Sequence, residues 1–407
     1  MANAMKHYMY YPDDKNVPIY LAYGFRIIFL LLAPYIVISS ILWGFVYSGM
    51  IPFFTDDILT WHIYEFLYGI GIAGILAFLL TGLPEMYPGS VPIIGNKLKM
   101  ITALWLSGRV SFWFIDYLSI YIVFILNVSI LLWILVWAFK PVVLDKFQKH
   151  SSIAYTICAL FFVQVWFFLS QMSLVQSDSL AILKVALGLF MVLILLALRR
   201  VNMEALNEIM EDKNIDDIFL ARSFRYNLAI FTVLLYTVGE FFYEGNSALA
   251  WIGFACACAI ISILNDYILK YESILFEPFV IFLSLVTILM SLGYGFIAYD
   301  ILDESLYAIN HFRHFLTTGS FGIAFFVIMV VISTVHTGRQ LTSNIYIVLG
   351  ILFILASTLI RVLIPFYEEY TILAYVSSSI LWALAFVLYM IKYFPYLLAK
   401  RADGIKG

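Results

Sequence analysis

The sequence predicts an all-α polytopic membrane protein with twelve transmembrane helices and both termini in the cytoplasm. Three observations carry that prediction. Hydrophobic residues fill 64 % of the 407 positions and charged residues only 12 %, against ~25 % charged in a soluble domain. The apolar residues come in runs close to the ~20 that a spanning helix needs. Basic and acidic residues alternate between successive connections, as the retention of Lys and Arg on the cytoplasmic side requires. With so little polar surface to present to water, the solvent of this chain is mostly lipid.

The polar start, Met1 to Pro18, has no apolar core or small-residue cleavage site, so the first run is expected to stay as a helix. The spans then read 19–47, 58–82, 98–117, 119–140, 152–173, 179–199, 225–244, 248–267, 273–299, 308–335, 343–366 and 371–394. One set of connections carries Lys97 and Lys99; Lys140, Lys146 and Lys149; Arg199 to Arg225; Lys270; Arg339; and Lys392 to Lys406. The other carries Asp56 and Asp57, Asp116, Asp178, Glu240 and Glu244, Asp300 to Glu304, and Glu368 with Glu369. A missed or invented span would reverse this alternation from that point onward. The 81–97 connection, rich in Gly and Pro, reads as a non-helical hairpin. Within 200–224, Met203 to Asp212 has helical spacing of Met, Leu and Ile. It reads as a short amphipathic cytoplasmic helix linking two six-helix halves, 1–199 and 225–407.

A net charge of −3 offers no basic stripe for phosphates, which excludes nucleic acid as a partner. Cys158, Cys256 and Cys258 all lie in apolar runs. Two residues turn Cys256 and Cys258 ~200° apart on a helix, so they do not chelate one ion together. All three read as small buried hydrophobes.

Ionisable side chains within the bilayer are costly and are functional candidates by default. Of the six histidines, His7 and His150 lie in cytoplasmic segments, while His62, His311, His314 and His336 lie in or at the ends of spans. Arg26, Glu65, Arg109, Lys184, Glu277 and Arg361 join them. For each isolated charge the plainer reading is a structural ion pair or snorkelling. Two clusters go further. The second span opens Trp61-His62-Ile63-Tyr64-Glu65, with His62 and Glu65 on one helical face, and then becomes glycine-rich at Gly69, Gly71 and Gly74. The tenth opens His311-Phe312-Arg313-His314 and closes His336-Thr337-Gly338-Arg339. His314 and His336 are 22 residues apart, or ~33 Å along a helix, so they serve different places. The charge pattern sets His62, His314 and Arg361 at similar depth near the outer face, with Arg361 suited to an anionic group such as a propionate. His336 and Arg339 fall at the cytoplasmic end, as a second site or as a clamp on the 81–97 loop.

These residues also carry a resemblance. Gly24-Phe25-Arg26, Trp61-His62 with Glu65, Trp105 with Gly108-Arg109, His314 with Thr317 and Gly319, His336-Thr337-Gly338-Arg339, Arg361, Tyr393-Phe394-Pro395 and Asp403-Gly404 resemble the NnrS family. The resemblance implies a bacterial inner-membrane protein containing haem, b-type, and copper, tied to nitric oxide metabolism and protection from nitrosative stress. It fixes no reaction. The chain departs from the family at Ile27, Tyr64 and Ser291, where the family has Pro, His and His, leaving fewer donors for copper.

The preferred reading is a haem protein that binds or converts nitric oxide or its iron adducts. His62 and His314 are the expected iron ligands, singly or together, and His311 is an alternative or a copper ligand. His336 is a further metal candidate. Glu65, Arg26, Arg109 and Arg361 are expected around the cofactor, with Glu65 orienting an imidazole or relaying protons. A haem-copper oxidase core needs more intramembrane histidines than the four present. A secondary transporter of a small solute is the alternative; its sites belong at the midplane, whereas these clusters fall near the two faces.

Overall fold

The computed structural model describes residues 11–12, 16–87, 90–143, 151–216, 218–268, 274, 276–303 and 309–407. His7, Pro88, Gly89, Lys146, Lys149, His150, Lys270 and Glu304 lie outside the described residues. Among those described the regular structure is all helical. The helices are α1 (Gly24–Tyr47), α2 (Ile58–Met86), α3 (Gly95–Trp113), α4 (Ile120–Ala138), α5 (Ser151–Gln171) and α6 (Ser179–Asp212). They continue with α7 (Ser223–Tyr243), α8 (Ser247–Tyr267), α9 (Pro278–Leu302), α10 (Ile309–Val335), α11 (Ile345–Leu363) and α12 (Thr371–Leu398).

Eleven of these helices are long and apolar enough to cross a membrane; α3 is not. Its 19 residues reach ~28 Å, but Lys97, Lys99 and Arg109 dilute its apolar character. The membrane helices are apolar on every side because one side meets protein and the other lipid. Val136, Phe162, Phe231 and Phe242 are well exposed, a pattern that water would punish and hydrocarbon accepts. Helix starts use the expected chemistry: Asp57 accepts from Thr60 N at 3.0 Å, and Asn344 from Tyr346 N at 3.1 Å.

The expected separate helix at Met203 to Asp212 is instead the continuation of α6, which runs 34 residues without a break. That is ~51 Å, well beyond the ~30 Å hydrocarbon core. Arg, Met, Glu, Ala and Leu between the span and this extension are all good helix formers, and no Gly or Pro interrupts them. The extension is tied down. Asn202, fully buried, donates to Tyr226 Oη at 2.9 Å and Tyr267 Oη at 2.8 Å, and Asn207 brackets the backbone of Phe219.

The chain packs as two compact units. One comprises 1–186, 329–342 and 386–407; the other comprises 187–328 and 343–385. Serine hydroxyls join helices within the second unit: Ser291 donates to Ala257 O, Ser320 to Val286 O and Ser357 to Ser378 O, at 2.9, 2.9 and 2.7 Å. Such polar contacts between helices matter because lipid provides no hydrophobic drive for them to associate.

Candidate functional site

In the first unit, α2 is not uniform. Ile58–Tyr64 is α-helical, Glu65–Ile70 is π-helical, and Gly71–Met86 returns to α. A π turn inserts an extra residue, and such segments are frequent at functional sites. His62 stands just before it. Its half-buried ring stacks on Trp43 of α1, with centroids 3.8 Å apart and planes 7° apart, and leans on Phe66 at 4.5 Å.

Glu65 opens the π segment and is fully buried. Its Oε2 accepts from Arg109 Nη1 at 2.9 Å and from Tyr35 Oη. Arg109 also donates to Asn127 Oδ1, which Tyr64 Oη reaches at 3.1 Å. Gln164 donates to Tyr64 Oη at 2.8 Å, and Trp113 Nε1 to Tyr35 Oη at 3.2 Å. Five helices, α1 to α5, therefore contribute to one buried polar network. The absence of a side chain at Gly69 makes it fit: a Cβ there would lie 2.5 Å from Glu65 Oε2 and 3.0 Å from Arg109 Nη1. Glu65 and Arg109, both expected beside a cofactor, are each other's partner.

The same unit holds His336 and Arg26. His336 Nδ1 lies 3.0 Å from Glu85 Oε1, with its ring between Tyr23 and Phe25 at 6.4 and 5.9 Å. Its carbonyl accepts from Arg401 Nη1 at 2.8 Å, and Thr337 O from Ala402 N at 3.0 Å. Gly338 takes φ +73°, and a Cβ on it would lie 2.5 Å from Asp403 Cγ. Arg401 grips Asp403 through Nε at 3.0 Å and Nη2 at 2.6 Å. These hydrogen bonds hold the Asp403 carboxyl below the usual carboxylate range. Arg339 stacks 4.1 Å over Tyr396. Arg26 caps the end of α12, donating to Tyr396 O, Leu397 O and Ala399 O at 3.2, 2.8 and 3.0 Å, and to Gly407 O at 3.0 Å. The His-Thr-Gly-Arg ending is thus clamped to the C-terminal segment, its carbonyls satisfied by basic side chains as helix ends require.

In the second unit α10 repeats the pattern of α2. Ile309–His314 is α-helical, Phe315–Phe321 is π-helical, and Gly322 resumes the α-helix. Each π segment follows a histidine closely and ends at Gly-Ile-Ala, 71–73 and 322–324. Each also gives a carbonyl to an indole from another helix: Trp105 Nε1 to Gly69 O at 3.0 Å, and Trp382 Nε1 to Thr318 O at 3.2 Å. Periodicity alone missed this repeat; the shared Gly-Ile-Ala was its visible trace.

Beside His314, Arg313 makes a two-pronged ion pair with Glu240, through Nη1 to Oε2 at 3.1 Å and Nη2 to Oε1, and Tyr236 adds a donor to Oε1 at 3.2 Å. Arg361 lies 3.5 Å over the Tyr375 ring and donates to His311 Nδ1 at 3.2 Å. Because guanidinium only donates, His311 Nδ1 is the bare nitrogen and Nε2 carries the proton. His314 is half-buried. Tyr35, Asn127, Gln164, Glu240 and Arg313 were not singled out from sequence, although a polar residue inside an apolar run was the available signal. Of the three cysteines expected to be buried, only Cys256 is; Cys158 is half-buried and Cys258 is exposed, because the two-residue step turns Cys258 away from the side that Cys256 buries. Among the described residues, no three His, Cys, Asp or Glu side chains gather where they could hold a metal ion.

No curated protein and no solved structure matches this chain. The family described as NnrS protein matches residues 19–401. With nearly its whole length inside that match, the chain belongs to the NnrS family.

Proposed function

We propose that this protein is a haem-binding membrane protein of nitric oxide metabolism and nitrosative-stress protection, with His62 or His314 as an iron ligand. The observation that carries the reading is the family match together with the position of both histidines at the entry of a π segment. The donor chemistry fits. One neutral imidazole suffices to hold haem iron, and Trp43 fixes the plane of the His62 ring. Bound haem would supply an iron able to take a diatomic gas. His311 ranks below His314 as a ligand, because Nδ1 is engaged by Arg361 and Nε2 carries the proton. Arg361 is the group suited to a propionate, while Arg26, Glu65 and Arg109 act behind the ligands by holding the helices. His336 is the better placed single imidazole for copper, with His311 behind it because Arg361 engages its Nδ1, and no group of three or more His, Cys, Asp or Glu that could hold a metal ion gathers among the described residues.

The topology we propose has twelve spans across the bacterial cytoplasmic membrane with both termini in the cytoplasm. In it α3 crosses with Arg109 neutralised by Glu65 and with Lys97 and Lys99 in its first two turns at the aqueous face. A reporter fused after Gly407 should read as cytoplasmic and one inserted near Glu368 as external; the reverse overturns this topology. The cofactor is tested by an optical spectrum of purified protein. A Soret band is expected, and His62→Ala or His314→Ala should abolish or shift it with expression intact. Wild-type spectra and full haem in both variants would refute these ligands. A colourless, metal-free protein would favour a transporter.

A further inference from the structure

We propose that Glu65 is a proton-exchange site, taking up and releasing a proton at Oε1 while Tyr35 and Arg109 stay bonded to Oε2. Oε1 is buried and has no hydrogen-bond partner among the described residues, although Oε2 receives two donors. Burying a carboxylate oxygen unbonded is costly, and a group left so in a folded protein calls for a physical account.

Glu240 shows that the arrangement is not forced by composition. It has the same partners, one tyrosine and one arginine, yet both its oxygens are engaged. In Glu240 both oxygens are bonded; in Glu65 only one is. Arg109 Nε and Gln164 Oε1, buried in the same network, also have no bonding partner among the described residues. A bare donor and two bare acceptors along one chain of hydrogen bonds suit groups that exchange protons through water. The network reaches one end of α3 at the half-buried Trp113, which donates to Tyr35 Oη, three residues before the exposed Asp116.

The titratable groups facing Glu65 are Tyr35 from α1, Arg109 from α3 and Tyr64 from its own helix. The α4 and α5 helices offer only the amides of Asn127 and Gln164. Uptake therefore turns a neutral Glu–Arg pair into a cationic one, with Asn127 Oδ1 accepting from Arg109 in either state. On uptake an O–H bond of a hydronium ion breaks as one forms at Oε1, and on release that bond breaks as the proton returns to water. No electron moves.

Infrared difference spectra of the full chain in lipid, recorded between acidic and alkaline buffer, test this through a band assigned by substitution at Glu65, independently of the optical haem spectrum. The proposal thus fails separately from the cofactor reading. The wild type should show a carboxyl C=O band that moves down in D2O. Glu65→Gln should lose it and Glu65→Asp should restore one at a shifted frequency. Tyr35→Phe, which keeps both charges, should shift the band, whereas Tyr236→Phe beside Glu240 should leave it in place. A wild type without such a band, a band kept by Glu65→Gln, or a band unmoved by Tyr35→Phe would overturn the proposal.

Discussion

Replacing Arg109 by Met keeps much of the side-chain length and removes the charge opposite Glu65. Three consequences follow from the geometry. The 2.9 Å bond to Glu65 disappears, Asn127 loses a donor, and a fully buried carboxylate keeps Tyr35 as its one strong donor. Breaking a buried pair from one side costs about 3–5 kcal/mol, whereas a surface change such as Lys97→Ala stays within about 0.5 kcal/mol. Removing both charges is a milder change, because no buried charge is left behind. Thermal or denaturant unfolding in detergent on wild type, Arg109→Met, Glu65→Leu and the double variant completes a cycle. The coupling should reach about 2–3 kcal/mol, near the top of the range for contacting residues. Additive effects, or a loss below about 1 kcal/mol for Arg109→Met alone, would show that the pair does not hold the five helices together.

Gly338→Ala should destabilise the clamp by more than Gly49→Ala. Both positions have positive φ, +73° and +75°, but only at 338 does a Cβ meet another residue, at 2.5 Å from Asp403 Cγ. The backbone term common to both is about 1–2 kcal/mol, so equal losses of thermal stability would deny the Asp403 contact. Asp403 itself gives a pH signature. Its folded carboxyl lies below the ordinary value of 3.8 because Arg401 bonds the ionised form. That contribution is complete above the ordinary value and disappears as pH falls through the lower folded one. Asp403→Asn should therefore lose stability at neutral pH and lose correspondingly less on acidification. An unchanged acid limb would remove Asp403 from the clamp.

The sequence by itself determined that this chain is helical and lies in lipid, where most of its helices begin and end, and to which family it belongs. It also identified the costly side chains, His62, Glu65, Arg109, His336 and Arg361 among them. Hydropathy can do this because the preference for lipid acts residue by residue along the chain. What the tertiary structure decided is who meets whom. Helical spacing put Glu65 on the face of His62, but its bonds go to Arg109, 44 residues away, and to Tyr35, 30 residues away. Arg26, a cofactor candidate from its place in the first span, closes the end of a helix 370 positions later. The α6 extension has the composition of a linker, and only the fold brings Tyr226 and Tyr267 onto Asn202 to hold it. The π segments left only a Gly-Ile-Ala behind each histidine as their trace. In water, the apolar stripe of a helix also tells which face turns inward. In lipid every face is apolar, and the rotation of each helix is set by small residues and buried polar contacts between distant positions.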